Sequence, residues 1–124
     1  MEIEEVIDYA ITLPHVEQEY KAAWETLLLK IGGKIFVLIP LDTGGNPVIN
    51  LKCDPERAEE LRMRYEAIHP GFHMNKQHWN TVYLYGHLPA GLLQEMISDS
   101  YHLVYNGLTR KVRKELEDSA QPEK

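Results

Sequence analysis

The chain has 124 residues, 44% of them hydrophobic and 26% charged, with a formal net charge of −6. A single domain of this size buries a sizeable core without a disulfide or metal staple, and its one cysteine, Cys53, excludes an internal disulfide and fits a reducing cytoplasm. The acidic total argues against a chain devoted to nucleic acid, but the charge is uneven: residues 1–25 hold seven acids and one lysine, whereas residues 26–114 hold eight acids and eleven bases.

In chain order, residues 2–12 place Ile3, Val6, Ile7, Ala10 and Ile11 at helical spacing, with acids in the first turn, where the helix dipole favours them. Pro14 ends that helix. The acidic start MEIEEVIDYAITL is unlike a signal peptide, and no apolar run nears the ~20 residues that cross a bilayer; a cytoplasmic protein without membrane contact is expected. Residues 14–23 read as a polar connection. TLLLKI and KIFVLIPL, joined by Gly32-Gly33, predict a tight hairpin. A second turn cluster, Asp42 to Pro47, leads into the strand PVINLKC, which completes an antiparallel meander.

Asp54-Pro55 opens a helix over 55–67, with Asp54 as its cap and Ala58, Leu61 and Tyr65 on one face. His69-Pro70-Gly71 breaks it. The stretch FHMNKQHW then reads as extended, and NTVYLYG alternates as a half-buried strand. Leu88-Pro89 opens a long helix whose buried stripe is Leu92, Leu93, Met96, Ile97, Ser100, Tyr101 and Val104. After Gly107, Thr109 caps a last short helix. The order is αβββαββαα: an α+β fold, single domain over 1–117, with an antiparallel sheet, helices packed on one face and a polar tail over 118–124.

The densest chemistry lies in HMNKQHW. His73 and His78 are five residues apart, which puts them on opposite faces of a strand or roughly 140° apart on a helix, so they do not chelate one ion locally; no metal and no cofactor are expected. No nucleophile motif or glycine-rich phosphate loop is present, so no enzyme is expected. An enzyme would require His73 or His78 to meet a carboxylate such as Asp54 or Asp99. As an extended segment the block is a recognition edge, with Lys76 and His78 meeting phosphate and Trp79 stacking on a base. Structural roles compete: Asn75 can bond its own turn, and Trp79 can be core. TRKVRKELED adds four cations in five residues: Arg110, Lys111, Arg113 and Lys114.

Four blocks, GGKIFVLI, VINLKCDPERAEELR, PGFHMNKQHWNTV and ISDSYHLVYNGLTRKVR, together resemble the MmcQ/YjbR family of small bacterial proteins and cover most of residues 32–113. The family usually has proline where Thr109 stands. The resemblance implies a CyaY-like (frataxin-like) fold and a DNA-binding role through a double-wing arrangement of strands and hairpins. It places Lys76, His78 and Trp79 in the signature block without assigning them a role.

The resulting expectation is a non-enzymatic, monomeric cytoplasmic binder. DNA would be held weakly, and more weakly as salt rises, by Lys76, His78, Trp79, Arg110, Lys111, Arg113 and Lys114, with Lys34, His73 and Asn75 as further contacts. The alternative is a protein- or small-anion-binding module that uses the HMNKQHW edge.

Overall fold

A computed structural model describes residues 1–71 and 74–119. The first helix, α1 (Ile3–Ala10), is stabilised at its start by the Glu5 carboxylate, which accepts from the Glu2 N–H at 2.7 Å. It buries Val6 and Ala10. It closes at Ile11, three residues ahead of Pro14.

Six strands follow: β1 (Glu17–Lys21), β2 (Thr26–Ile31), β3 (Lys34–Pro40), β4 (Val48–Lys52), β5 (Ile68–Pro70) and β6 (Trp79–Tyr83). They form one sheet in the order β1-β2-β3-β4-β6-β5, with every neighbouring pair antiparallel. The remaining helices are α2 (Pro55–Arg64), α3 (Ala90–Asn106) and α4 (Arg110–Ser119). The architecture is the expected α+β domain with one more strand.

That strand is β1, which corrects the reading of residues 14–23 as a mere connection. EQEYK is exposed along its whole length, so neither of its faces needs apolar residues and no alternation marks it. A second correction concerns 70–79. Only Ile68–Pro70 is strand, and Lys76–His78 is a turn, so the recognition edge expected there is absent from the described part of the block; Phe72 and His73 lie outside the described residues. Third, Asp54 precedes α2 without a side-chain cap, its backbone oxygen instead accepting from Ala58 N at 2.7 Å. That helix also ends at Arg64.

The Gly32-Gly33 hairpin forms as expected. Both glycines have positive φ, 60° and 82°, the backbone that two-residue hairpins need. A side chain at Gly32 would also strike Leu108 Cδ1 at 2.6 Å and Val112 Cγ1 at 3.1 Å. The close approach seats the start of α4 on this hairpin.

Register explains the core. Leu29 pairs with Val37 but Lys30 pairs with Ile35, so Phe36 is an extra, bulged residue. Phe36 and Val37 therefore both turn inward, and both are fully buried. The cluster of Leu29, Ile31, Phe36, Val37, Ile39, Ile49, Leu51, Ile68 and Val82 joins Val6, Leu61, Leu93, Ile97 and Tyr101 from α1, α2 and α3. Among the described residues, helices thus cover one face of the sheet and leave the other free. The predicted stripe of α3 is observed with one difference: Leu93, Met96, Ile97, Ser100, Tyr101 and Val104 are buried, and Leu92 is only half-buried against the core. On the free face, the pairs Val48–Tyr83, Asn50–Thr81 and Lys52–Trp79 lie in succession along β4 and β6.

Candidate nucleic-acid interface

The candidate cations gather by topology at one end of the sheet. β2 ends and β3 begins there at the Gly32-Gly33 hairpin, β4 ends there at Lys52, and β6 begins there at Trp79 opposite Lys52. β3 and β6 are two sheet positions apart, roughly 10 Å. Because Gly32 meets Leu108 and Val112, α4 starts at that same end. Lys34, Lys52, Lys76, Arg110, Lys111, Arg113 and Lys114 are thereby brought to one end of the molecule.

Their pairing differs. Lys114 lies 3.7 Å from Asp118, both well exposed, an arrangement that contributes little. Arg113 is half-buried and its Nε is shielded, with no hydrogen-bond partner among the described residues, so it belongs partly to packing. Lys34, Lys76, Arg110 and Lys111 are exposed and Lys52 is half-buried. Among the described residues none of these five makes an ion pair. Two other cations are paired: Lys30 bonds Glu19 at 2.5 Å and lowers that carboxyl's pKa, and Arg57 reaches Glu60 and Glu95.

The turn between β5 and β6 is tied down from both sides. Asn75 Oδ1 accepts from Gln77 N at 2.9 Å, and its backbone oxygen accepts from His78 N and Trp79 N. Asn75 is therefore the turn former that the sequence allowed, rather than a free contact. His78 contributes its carbonyl to Cys53 N at 2.8 Å. Arg62, from α2, donates Nε–H to Asn80 Oδ1 at 2.7 Å and Nη2–H to the carbonyls of Lys76 and Trp79. Sequence reading missed Arg62 because two of its partners are backbone oxygens, which carry no sequence signal, and the third, Asn80, is 18 residues away. Gly71 completes the fit: its N–H donates to Trp79 O at 2.8 Å, and a Cβ there would meet Trp79 Cβ at 2.9 Å. Trp79 is half-buried on the helix-free face, neither core nor fully exposed.

A shallow hollow of about 320 Å³ on the helical side holds Cys53, Asp54, Arg57, Asp99 and His102. The histidine beside these carboxylates is His102 rather than His78. Burial, then the neighbouring Glu95, raises the Asp99 pKa. Among the described residues no three His, Cys, Asp or Glu side chains converge to hold a metal. Burial pushes the Cys53 thiol up to about 11, and its side chain is 8% exposed. A thiol reagent at pH 8 is expected to leave Cys53 untouched in the folded chain and to modify it on unfolding. The raised value also means that the folded chain holds this proton more tightly. The resulting stabilisation is complete below about pH 9 and is lost as pH rises through 11. Rapid labelling of the native chain at pH 8 would contradict this.

Residues 11–103 match the YjbR family model. This chain belongs to the YjbR family. Its relatives include protein YbdF of Escherichia coli O157:H7, 42% identical over 105 residues, 85% of each chain. Protein YjbR of Escherichia coli K12 is 34% identical over 114 residues, covering 92% of this chain and 96% of that one. A crystal structure of a Deinococcus radiodurans protein with a DUF419 domain superposes with a TM-score of 0.84 at 38% identity, covering 93% of this chain and 87% of that one. The matched YjbR segment contains Lys34, Lys52 and the whole 74–79 turn; Arg110 to Lys114 lie beyond it. No helix among the described residues is long and apolar enough to cross a membrane.

Proposed function

We propose that this YjbR-family chain is a non-catalytic, cytoplasmic nucleic-acid-binding module that holds DNA phosphates at the end of the sheet where β3 and α4 begin. The observation that carries the reading is that Lys34, Lys52, Lys76, Arg110 and Lys111 share that end and lack a carboxylate partner among the described residues. Free cations release condensed counterions from the DNA backbone when they bind it, which is the main source of sequence-independent affinity. The acidic α1 and β1 oppose it, so the binding is weak, with a dissociation constant on the order of micromolar or above.

Titration of a labelled duplex at several salt concentrations tests this. Affinity falls steeply with salt. Replacing Arg110 and Lys111 together by glutamate weakens binding at least about tenfold and lowers the salt slope by about two. Glutamate is favourable in the first turn of α4, so the fold survives that change. Absence of binding at low salt, or binding indifferent to salt, removes the reading.

A further inference from the structure

The helix-free face of the sheet carries a feature that phosphate contact does not use. Asn50 and Thr81 face each other across β4 and β6. They form the floor of a concavity of about 320 Å³, walled by Pro40, Thr43, Asn46 and Tyr83. Asn50 is 7% exposed, and its carbonyl accepts the Thr81 hydroxyl at 2.5 Å. Its amide N–H groups have no partner among the described residues, although the side chain lines the hollow. That amide opens onto the hollow, where it is placed to donate to a ligand that presents an acceptor.

The surroundings narrow the ligand. Tyr83 is a half-buried ring beside the hollow, held edge-on by His69 at 5.1 Å between centroids. Two residues along from Asn50 on the same face is the unpaired Lys52, opposite Trp79. Each two-residue step along a strand is roughly 6.6 Å. The β4–β6 ladder therefore presents, in order, an aromatic ring, a donor in a hollow, a cation, and a second aromatic ring roughly 13 Å from the first. An aromatic platform with a hydrogen-bonding pocket and a neighbouring lysine suits a planar heteroaromatic with carbonyl or ring-nitrogen acceptors, attached to a phosphate. Bases paired in a duplex cannot enter such a pocket.

We infer that the concavity over Asn50, Thr81 and Tyr83 receives an unpaired base, so that the substrate is single-stranded nucleic acid laid along β4 and β6. The base stacks on Tyr83, Asn50 donates to its acceptor, Lys52 meets the adjoining phosphate and Trp79 stacks the next base. The assignment rests on the nucleic-acid reading above and adds the strandedness of the ligand.

The experiment compares a labelled oligothymidylate of about twelve nucleotides with a duplex of the same length at low salt. It is accompanied by nuclear magnetic resonance of the Asn50 side-chain amide on addition of thymidine monophosphate. The single strand is expected to bind at least about tenfold tighter than the duplex. Tyr83→Leu should abolish that preference and leave duplex binding unchanged, with its circular dichroism checked against the parent. The Asn50 amide resonances should shift on titration of the mononucleotide. Equal affinity for both forms, a Tyr83→Leu variant that keeps the preference, or an Asn50 amide that does not move overturns the base pocket; in each case measured duplex binding leaves the phosphate reading standing. Failure of both oligonucleotides to bind removes both readings.

Discussion

Arg62→Ala is expected to destabilise the fold by about 3 kcal/mol, and Arg62→Lys to recover little of it. One guanidinium joins α2 to three oxygens of the β5–β6 connection, those of Lys76, Trp79 and Asn80. A hydrogen bond to a charged donor contributes about 1.5–3 kcal/mol, and stranding a buried acceptor adds to the loss. Asn80 is fully buried, and its Nδ2 already has no partner among the described residues; without Arg62 its Oδ1 loses its bond too. Lysine offers a point charge instead of a planar fork and cannot satisfy divergent acceptors at once. Chemical denaturation reads the effect as a fall in midpoint at constant slope. A variant within 0.5 kcal/mol of the parent (roughly the spread of neutral surface changes) would mean that the turn holds itself. The same variant reports on function, because a loosened turn displaces Lys76 and Trp79 together.

Ser100→Ala carries the second large cost, about 2 kcal/mol. Ser100 is fully buried, and its hydroxyl donates to the Phe36 carbonyl at 2.6 Å while accepting from Lys52 N at 2.8 Å. It thereby satisfies two backbone groups, on β3 and β4, that the sheet leaves unpaired. The Phe36 carbonyl belongs to the bulged residue of β3, and β3 and β4 pair in register only at Val37–Leu51 and Leu38–Asn50. Alanine fills the space but leaves both groups dry. Amide exchange at Lys52 is the sharper measurement: its protection should fall well before that of Val37 or Leu51. Unchanged protection at Lys52 would show that another acceptor takes over.

The sequence revealed those parts of the fold in which burial repeats with a period. The stripe of α3 and the Gly32-Gly33 turn follow from side-chain spacing and from φ > 0, and the structure contains both. β1 was invisible because a strand exposed on both sides has nothing to alternate. Within the described residues, Lys76–His78 was misread as extended because its polar residues fit an edge strand as well as a turn. Choosing between them required Arg62, distant in sequence, which bonds the carbonyls of the connection. Composition identified the cations of α4 but not that Arg113 is partly withdrawn into packing. Asn50 gave no signal, since its significance lies in facing Thr81 across the sheet with its amide open to the hollow.

The two margins of the sheet are unlike. β5 offers three residues and finishes at Pro70, which has no amide hydrogen to share, whereas β1 offers five residues open to solvent. A molecule with a single pairable margin can meet one copy of itself there and then has no margin left. Extension of the sheet by an added strand is therefore open at β1 and closed at β5.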